Sequence, residues 1–171
     1  MVAEAIFMSK IRYGVCVYLK PVFDKEELKN HHLSGEARSL QTLQNTMLRT
    51  IFGYKPSSHV NMMELRHRIN MFSVNQICVY HTLLEAHNIV IKSSSEQIRE
   101  KWMKRQTAYP LRSNANNMLK VPEAPKKKAT GFTYLASKLY NTLPKRIRES
   151  RTMDGYKEEI KTWIWTNIPS Y

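Results

Sequence analysis

GFTYLASKLYNTLPKRI, residues 131–147, joins an amphipathic helix, a proline stop and a basic cluster in seventeen residues. Phe132, Leu135, Leu139 and Leu143 fall three and four residues apart, which predicts one apolar stripe on a helix beginning near Thr130. Pro144 stops that helix, because a proline disfavours the helical region for the residue before it and has no N–H to give the turn behind. Residues 141–144 therefore read as a break that re-aims the chain, and Lys145, Arg146, Arg148 and Arg151 follow at once.

Helical periodicity extends outward from this stretch. Residues 36–52 place Leu40, Leu43, Met47, Leu48 and Ile51 on one side, with Gly53 as the C-terminal cap. A short helix is expected near 62–69. A longer one starts at Ser73, whose hydroxyl can cap it, and runs through Ile77, Tyr80, Leu84 and Ile91. Ser93 to Gln97 carry a capping-box pattern for a charged helix reaching Arg105. Residues 153–165 put Met153, Tyr156, Ile160, Trp163 and Ile164 on one face. Residues 21–35, of mixed charge with two His, read as a loop with room for a short helical turn. Residues 106–130, with Pro110, Pro122 and Pro125, read as an extended or partly disordered connector in which 119–121 can form a short strand.

The chain has 171 residues, 42% hydrophobic content, five Gly and seven Pro, enough for a sizeable core with few turns. The expected fold class is mostly α, a small helical bundle of about five to seven helices with an extended basic connector. Residues 1–105 form a helical subdomain, 106–130 the connector, and 131–171 a C-terminal helical hairpin. There is no internal repeat.

Three segments resemble the region beyond the polymerase palm in reverse transcriptases of non-LTR, LINE-type retrotransposons of the jockey-like groups. Leu139-Tyr140-Asn141-Thr142-Leu143-Pro144-Lys145-Arg146-Ile147-Arg148 is similar to that family's L-W-N-x-L-P-x-x-I-R, with Tyr140 in place of Trp. Leu40 to Asn45 and Leu48 to Gly53 look like its L-x-x-L-Q-N-x-x-L-R-x-I-x-G helix. Ile11 to Tyr18 is similar to its I-x-Y-G-x-x-V-W, again with an aromatic exchange at Tyr18. The matches keep the family's order and span nearly the whole chain. The resemblance implies a noncatalytic region that helps hold template RNA and primer DNA by their backbones. It also implies that Met1 lies within a longer polyprotein and that the first helix has an open hydrophobic face, for the missing palm or a second copy.

Several chemistries lack equipment in the sequence. Two-metal polymerisation needs clustered carboxylates, yet the only aspartates are Asp24 and Asp154, neither beside a second acidic residue. Glu26-Glu27 and Glu158-Glu159 sit in charge-mixed stretches that suggest solvated faces. There is no Gly-rich phosphate loop or G-x-S-x-G elbow. The expectation is no catalysis by this chain alone and no cofactor. Cys78 and His81 lie one helical turn apart, with His59, His67 and His87 nearby in sequence, but the tight spacing of a zinc knuckle is missing and Cys78 fits the apolar stripe; no metal is expected. Cys16 and Cys78 read as reduced core residues of an intracellular protein, nuclear or cytoplasmic rather than secreted. Lys10 and Arg12 interrupt the apolar stretch at the N-terminus, so neither a membrane span nor a signal peptide is expected.

Charge narrows the partner. The chain carries 27 basic and 14 acidic residues, a net +13, while residues 92–151 hold fifteen basic and four acidic ones. Such local excess favours a polyanion, which the resemblance implies is RNA or an RNA/DNA heteroduplex. The candidate contacts are Lys126, Lys127, Lys128, Lys138, Lys145, Arg146, Arg148 and Arg151. A planar guanidinium on a rigid turn can grip phosphate in a fixed orientation, which singles out Arg146 and Arg148. The alternative for both is capping of helix carbonyls; for the lysine run it is a solvated linker or a localisation signal. Asn141 reads as satisfying backbone groups, or as a nucleic-acid contact. Tyr140 reads as core, or with Tyr134 and Tyr109 as a base-stacking residue. A groove requires Lys138, Arg146 and Arg148 to point away from the Phe132/Leu135/Leu139 stripe.

Overall fold

The computed structural model describes residues 9, 19–22, 35–92, 118–122, 131–168 and 170. The fold is mostly α, with six helices among these residues: α1 (Gly35–Ile51), α2 (Met62–Arg68), α3 (Val74–Lys92), α4 (Phe132–Thr142), α5 (Lys145–Arg148) and α6 (Met153–Asn167). They include no strand; in the expected 119–121 strand, Leu119 makes only a lone β-bridge. The helix expected over 93–105, most of the 106–130 connector and of the 21–35 loop, and nearly all of the N-terminal apolar stretch lie outside the described residues.

The chain divides into two compact units, one running to Val79 and taken up again from Trp165, the other spanning Tyr80–Ile164. These bounds follow packing, whereas the boundaries at 105 and 130 follow composition.

In the first unit, local signals set the helix ends. Gly53 has φ +70, its N–H bonds to Thr50 O, and Tyr54 N bonds to Arg49 O, so α1 closes in the two-bond arrangement that a left-handed residue permits. α2 closes the same way on Asn70, at φ 52, with Asn70 N bonded to His67 O and Met71 N to Arg66 O. Asn61 Oδ1 caps the start of α2 by accepting from Met63 N and Glu64 N. At α3, Ser73 Oγ accepts from Gln76 N at 3.3 Å while Gln76 Oε1 accepts from Ser73 N at 3.0 Å, a reciprocal capping box.

Burial departs from the simple stripes. α1 buries Ala37, Gln41, Gln44 and Leu48, leaving Leu43 55% and Ile51 45% exposed. Two glutamines are buried because each has its partners. Gln41 Oε1 accepts from Val74 N at 2.9 Å, one of the donors that a helix start leaves unpaired. Gln41 Nε2 donates to Gln44 Oε1 and Asn45 Oδ1, and Gln44 Nε2 donates to Phe72 O at 2.8 Å. The start of α3 is buried on every side from Ser73 to Val79, not along one stripe. Leu19, Ala37, Val74, Ile77 and Cys78 form a core cluster, with Leu40 and Phe72 packed against it. Residues 165–168 and 170 complete the unit: Trp165 packs on His67 with ring centroids 4.2 Å apart and planes tilted by 31°, Gln76 Nε2 donates to Ile168 O, and the buried Arg66 donates to Ser170 Oγ and Asn45 Oδ1. Burial lowers the Arg66 pKa to about 10.

The second unit is built on Leu83, Ala86, Leu119, Ala136, Leu139, Tyr140, Leu143, Ile147, Tyr156, Ile160 and Ile164, all buried. On α4 the buried face is Ala136, Ser137, Leu139 and Tyr140. It is turned from the expected stripe, so Phe132 and Leu135 are only half-buried. On α6 the step-of-four series Tyr156, Ile160 and Ile164 is buried, with Met153 and Trp163 at its margin.

Candidate nucleic-acid interface

The basic segment is positioned by the break before Pro144. Leu143, the residue preceding the proline, is extended at φ −65 and ψ 143 and closes α4. Pro144 then starts α5, its carbonyl accepting from Ile147 N and Arg148 N. Leu143 and Ile147 are buried, so the turn is anchored on the core on both sides of Pro144.

That anchoring fixes which cations reach solvent. Lys145, Arg146 and Arg151 are exposed. The Arg146 side chain is 84% exposed and lies 3.2 Å from Glu159, and Lys145 lies 3.8 Å from Glu149. Exposed pairs of this kind contribute about 0–1 kcal/mol, little enough for a phosphate to compete. Lys138 is half-buried. Lys126, Lys127 and Lys128 lie outside the described residues. Arg148 is a correction: its requirement to face outward is not met, because it follows the helical turn of Ile147 inward and is only 6% exposed.

Asn141 serves the backbone, at a different place from the helix end. Its Oδ1 accepts from Leu119 N at 2.8 Å and its Nδ2 donates to Leu119 O at 2.9 Å, so one amide side chain pairs with the extended segment 118–122 as a neighbouring strand would. Tyr140 is fully buried, which removes it as a stacking platform. Tyr134 is half-buried, and Tyr109 lies outside the described residues.

The chemistry that the motif reading missed is an aromatic and polar network inside this unit. His87 on α3 stacks on Tyr156 with ring centroids 3.5 Å apart and planes 7° from parallel. The Tyr140 hydroxyl donates to Arg148 O at 3.3 Å, and its oxygen lies 3.2 Å from His87 Nδ1. The direction of the His87–Tyr140 hydrogen bond is set by the His87 tautomer. The Tyr156 hydroxyl donates to Leu83 O. Burial lowers the His87 pKa to about 4, against a smaller upward pull from the Ser150 backbone. Burial raises Tyr140 to about 12, held back by the charge of Arg148, and pushes Tyr156 up as well. The available sequence signal was His87 four residues after Leu83 on a buried helix.

Among the described residues, six buried side-chain atoms lack a hydrogen-bond partner within the protein: His87 Nε2, Asn88 Oδ1, Ser137 Oγ, Arg148 Nε, Arg148 Nη1 and Glu159 Oε2. All six belong to the second unit. Buried polar groups are nearly always paired, with protein or with ordered water. Comparison with family models, curated proteins and solved structures returned no match.

Among the described residues no group of three or more His, Cys, Asp or Glu is placed to hold a metal ion. Cys78 is buried, its Sγ 3.5 Å from Leu19 O. No described helix is long and apolar enough to cross a membrane.

Proposed function

We propose that this chain is a noncatalytic nucleic-acid-binding region of the kind that its motifs resemble, the part of a non-LTR retrotransposon reverse transcriptase beyond the palm, and that it holds RNA or an RNA/DNA heteroduplex through phosphates. The observation that carries the reading is the core-anchored Pro144 turn with Lys145, Arg146 and Arg151 exposed around it. The local excess of eleven positive charges over residues 92–151, to which the lysine run 126–128 contributes three, supports it. Phosphate contacts by such groups release counterions, so affinity falls with salt at a slope near −0.9 per contact on a duplex.

The test is a fluorescence-anisotropy titration with an RNA–DNA heteroduplex at two salt concentrations. Tight binding that collapses with salt is expected. Changing Lys126, Lys127, Lys128, Lys145, Arg146 and Arg151 to Gln should weaken it across sequences and make the slope shallower by about one for each phosphate no longer neutralised. Unchanged affinity in that variant removes this surface from consideration.

A second reading, a structural or protein-interaction remnant of a mobile element, draws on the exposed Leu43 and Ile51 of α1. It predicts concentration-dependent association and binding of a hydrophobic dye, with no dependence on the lysines and arginines above.

A further inference from the structure

On the outer face of α1, Ser39, Thr42, Leu43, Thr46, Thr50 and Ile51 are exposed, and none of them is ionisable. Arg49, the only charged residue between Arg38 and Lys55, directs its guanidinium to the Pro56 and Ser58 carbonyls. The hydroxyl donors of the face are already engaged, since Ser39, Thr42, Thr46 and Thr50 each donate to the carbonyl four residues back. What remains toward water is mainly carbon, Leu43 and Ile51 beside the threonine methyls. In a chain of net +13, an uncharged helix face about three turns long stands apart. Withdrawing its leucine and isoleucine from water is favourable, and depletion of charge marks the centres of protein interfaces.

We propose that this face pairs with the same face of a second copy of the chain, antiparallel and two-fold about Met47. Charge selects that partner. Two chains of +13 repel each other, and approach costs least where neither carries charge. At the ends of the stripe the charges are opposite: Glu36 lies in the first turn of α1 and Lys55 four residues past its last, both exposed. Arg38 stands about 160° round the helix from Glu36. Antiparallel pairing sets Leu43 of one copy against Ile51 of the other and Glu36 of each toward Lys55 of the other, so one surface meets itself as a two-fold contact demands. The contact is one helix wide, which places it among small interfaces below about 1,200 Å² in total and makes the dimer weak. The proposal goes beyond the nucleic-acid reading and names a partner for the side chains on which the second reading draws. Salt acts on the two bindings in opposite directions: it screens the repulsion between copies and strengthens self-pairing, but weakens phosphate contacts.

The experiment is sedimentation equilibrium of nuclease-treated protein over a range of concentrations, at low and high salt. Wild type is expected to pass from monomer to dimer, at lower concentration in high salt. Leu43→Glu sets a carboxylate against the apolar contact and should weaken pairing about tenfold or more, with its thermal unfolding unchanged because Leu43 is exposed. Thr46→Lys should do the same, and it decides the matter if L43E does not fold. At low salt, Glu36→Lys and Lys55→Glu should each weaken pairing about two- to fivefold, and the two together should restore it. Wild type that stays monomeric at every concentration overturns the pairing; if that monomer binds a hydrophobic dye the face belongs to another protein, and if L43E lowers its Tm the face is covered by another part of this chain. Association that survives both L43E and T46K overturns the choice of face, and a double exchange that restores nothing overturns the antiparallel alignment. Wild type that pairs but binds no heteroduplex defeats the nucleic-acid reading and supports this one.

Discussion

Asn75 in the first unit and Asn141 in the second each face an extended segment and exchange two hydrogen bonds with its backbone. Asn75 pairs with Val22 at 2.9 and 3.0 Å, and Asn141 pairs with Leu119 at 2.8 and 2.9 Å. Each segment carries a buried leucine, Leu19 in one and Leu119 in the other. Beyond this shared device the interiors differ. The first unit buries Gln41, Gln44, Arg66, Asn75 and Gln76 and gives each of them partners. Among the described residues, the second holds all six of the unpaired buried atoms, two of them on a charged guanidinium. Satisfied polar networks specify one arrangement of a core, whereas each buried polar group left unpaired carries a desolvation cost. Among the described residues, the first unit satisfies its buried amides and guanidinium within the protein, and the second leaves part of its buried polar groups unpaired.

The comparison can be broken most directly at Tyr156. Its side chain is fully buried and stacked on His87, so Tyr156→Ala should cost about 3–5 kcal/mol. Hydrogen exchange should accelerate in α4 and α6 before α1; equal acceleration in α1 would mean that the two units unfold as one.

Acid should separate the units next. His87 titrates near 4 in the folded protein against 6.5 unfolded, so the fold favours its neutral form. Its contribution is intact above pH 6.5, is lost as pH falls from 6.5 toward 4, and changes no further below. The loss is roughly 3 kcal/mol at its full extent. Urea midpoints at pH 7 and 4.5 should converge for His87→Gln relative to wild type, and parallel pH profiles would refute the assignment.

The paired asparagines sharpen the comparison by testing its common feature. Asn75→Ala and Asn141→Ala should each cost about 2 kcal/mol, since each strands a backbone N–H and C=O. Amides near Val22 should lose protection only in the first variant and those near Leu119 only in the second. Loss at both segments in either variant would tell against two independent clamps.

The smallest effect is expected at Gly53. An alanine there meets nothing within 4 Å but must adopt φ +70, so Gly53→Ala should cost about 1 kcal/mol. Denaturation should show the loss in the first unit, with α4 exchange unchanged.

How far these features were legible depends on the range of the interaction behind them. Ser73, Gly53 and Pro144 act within one turn of their own position through capping, a left-handed φ and a missing N–H, so the ends of α1, α3 and α4 follow from the residues beside them. The apolar steps 156, 160 and 164 likewise marked the buried face of α6. Leu43 and Ile51 misled, because the sequence does not show that Gln41 and Gln44 have Val74 N and Phe72 O waiting for them. Hydrophobicity ranks residues by type, but a glutamine whose amide is fully bonded can occupy a core that leaves leucine outside.

The sequence by itself determined a mostly helical chain, the turn at Pro144, and a local basic excess over residues 92–151, since composition and short-range sterics suffice for each. Only the tertiary structure decided that Arg146 faces solvent while Arg148 is buried two residues later, that Asn141 holds Leu119, and that His87 meets Tyr156. Those outcomes depend on partners far along the chain, and burial is a property of what the rest of the chain places around a side chain.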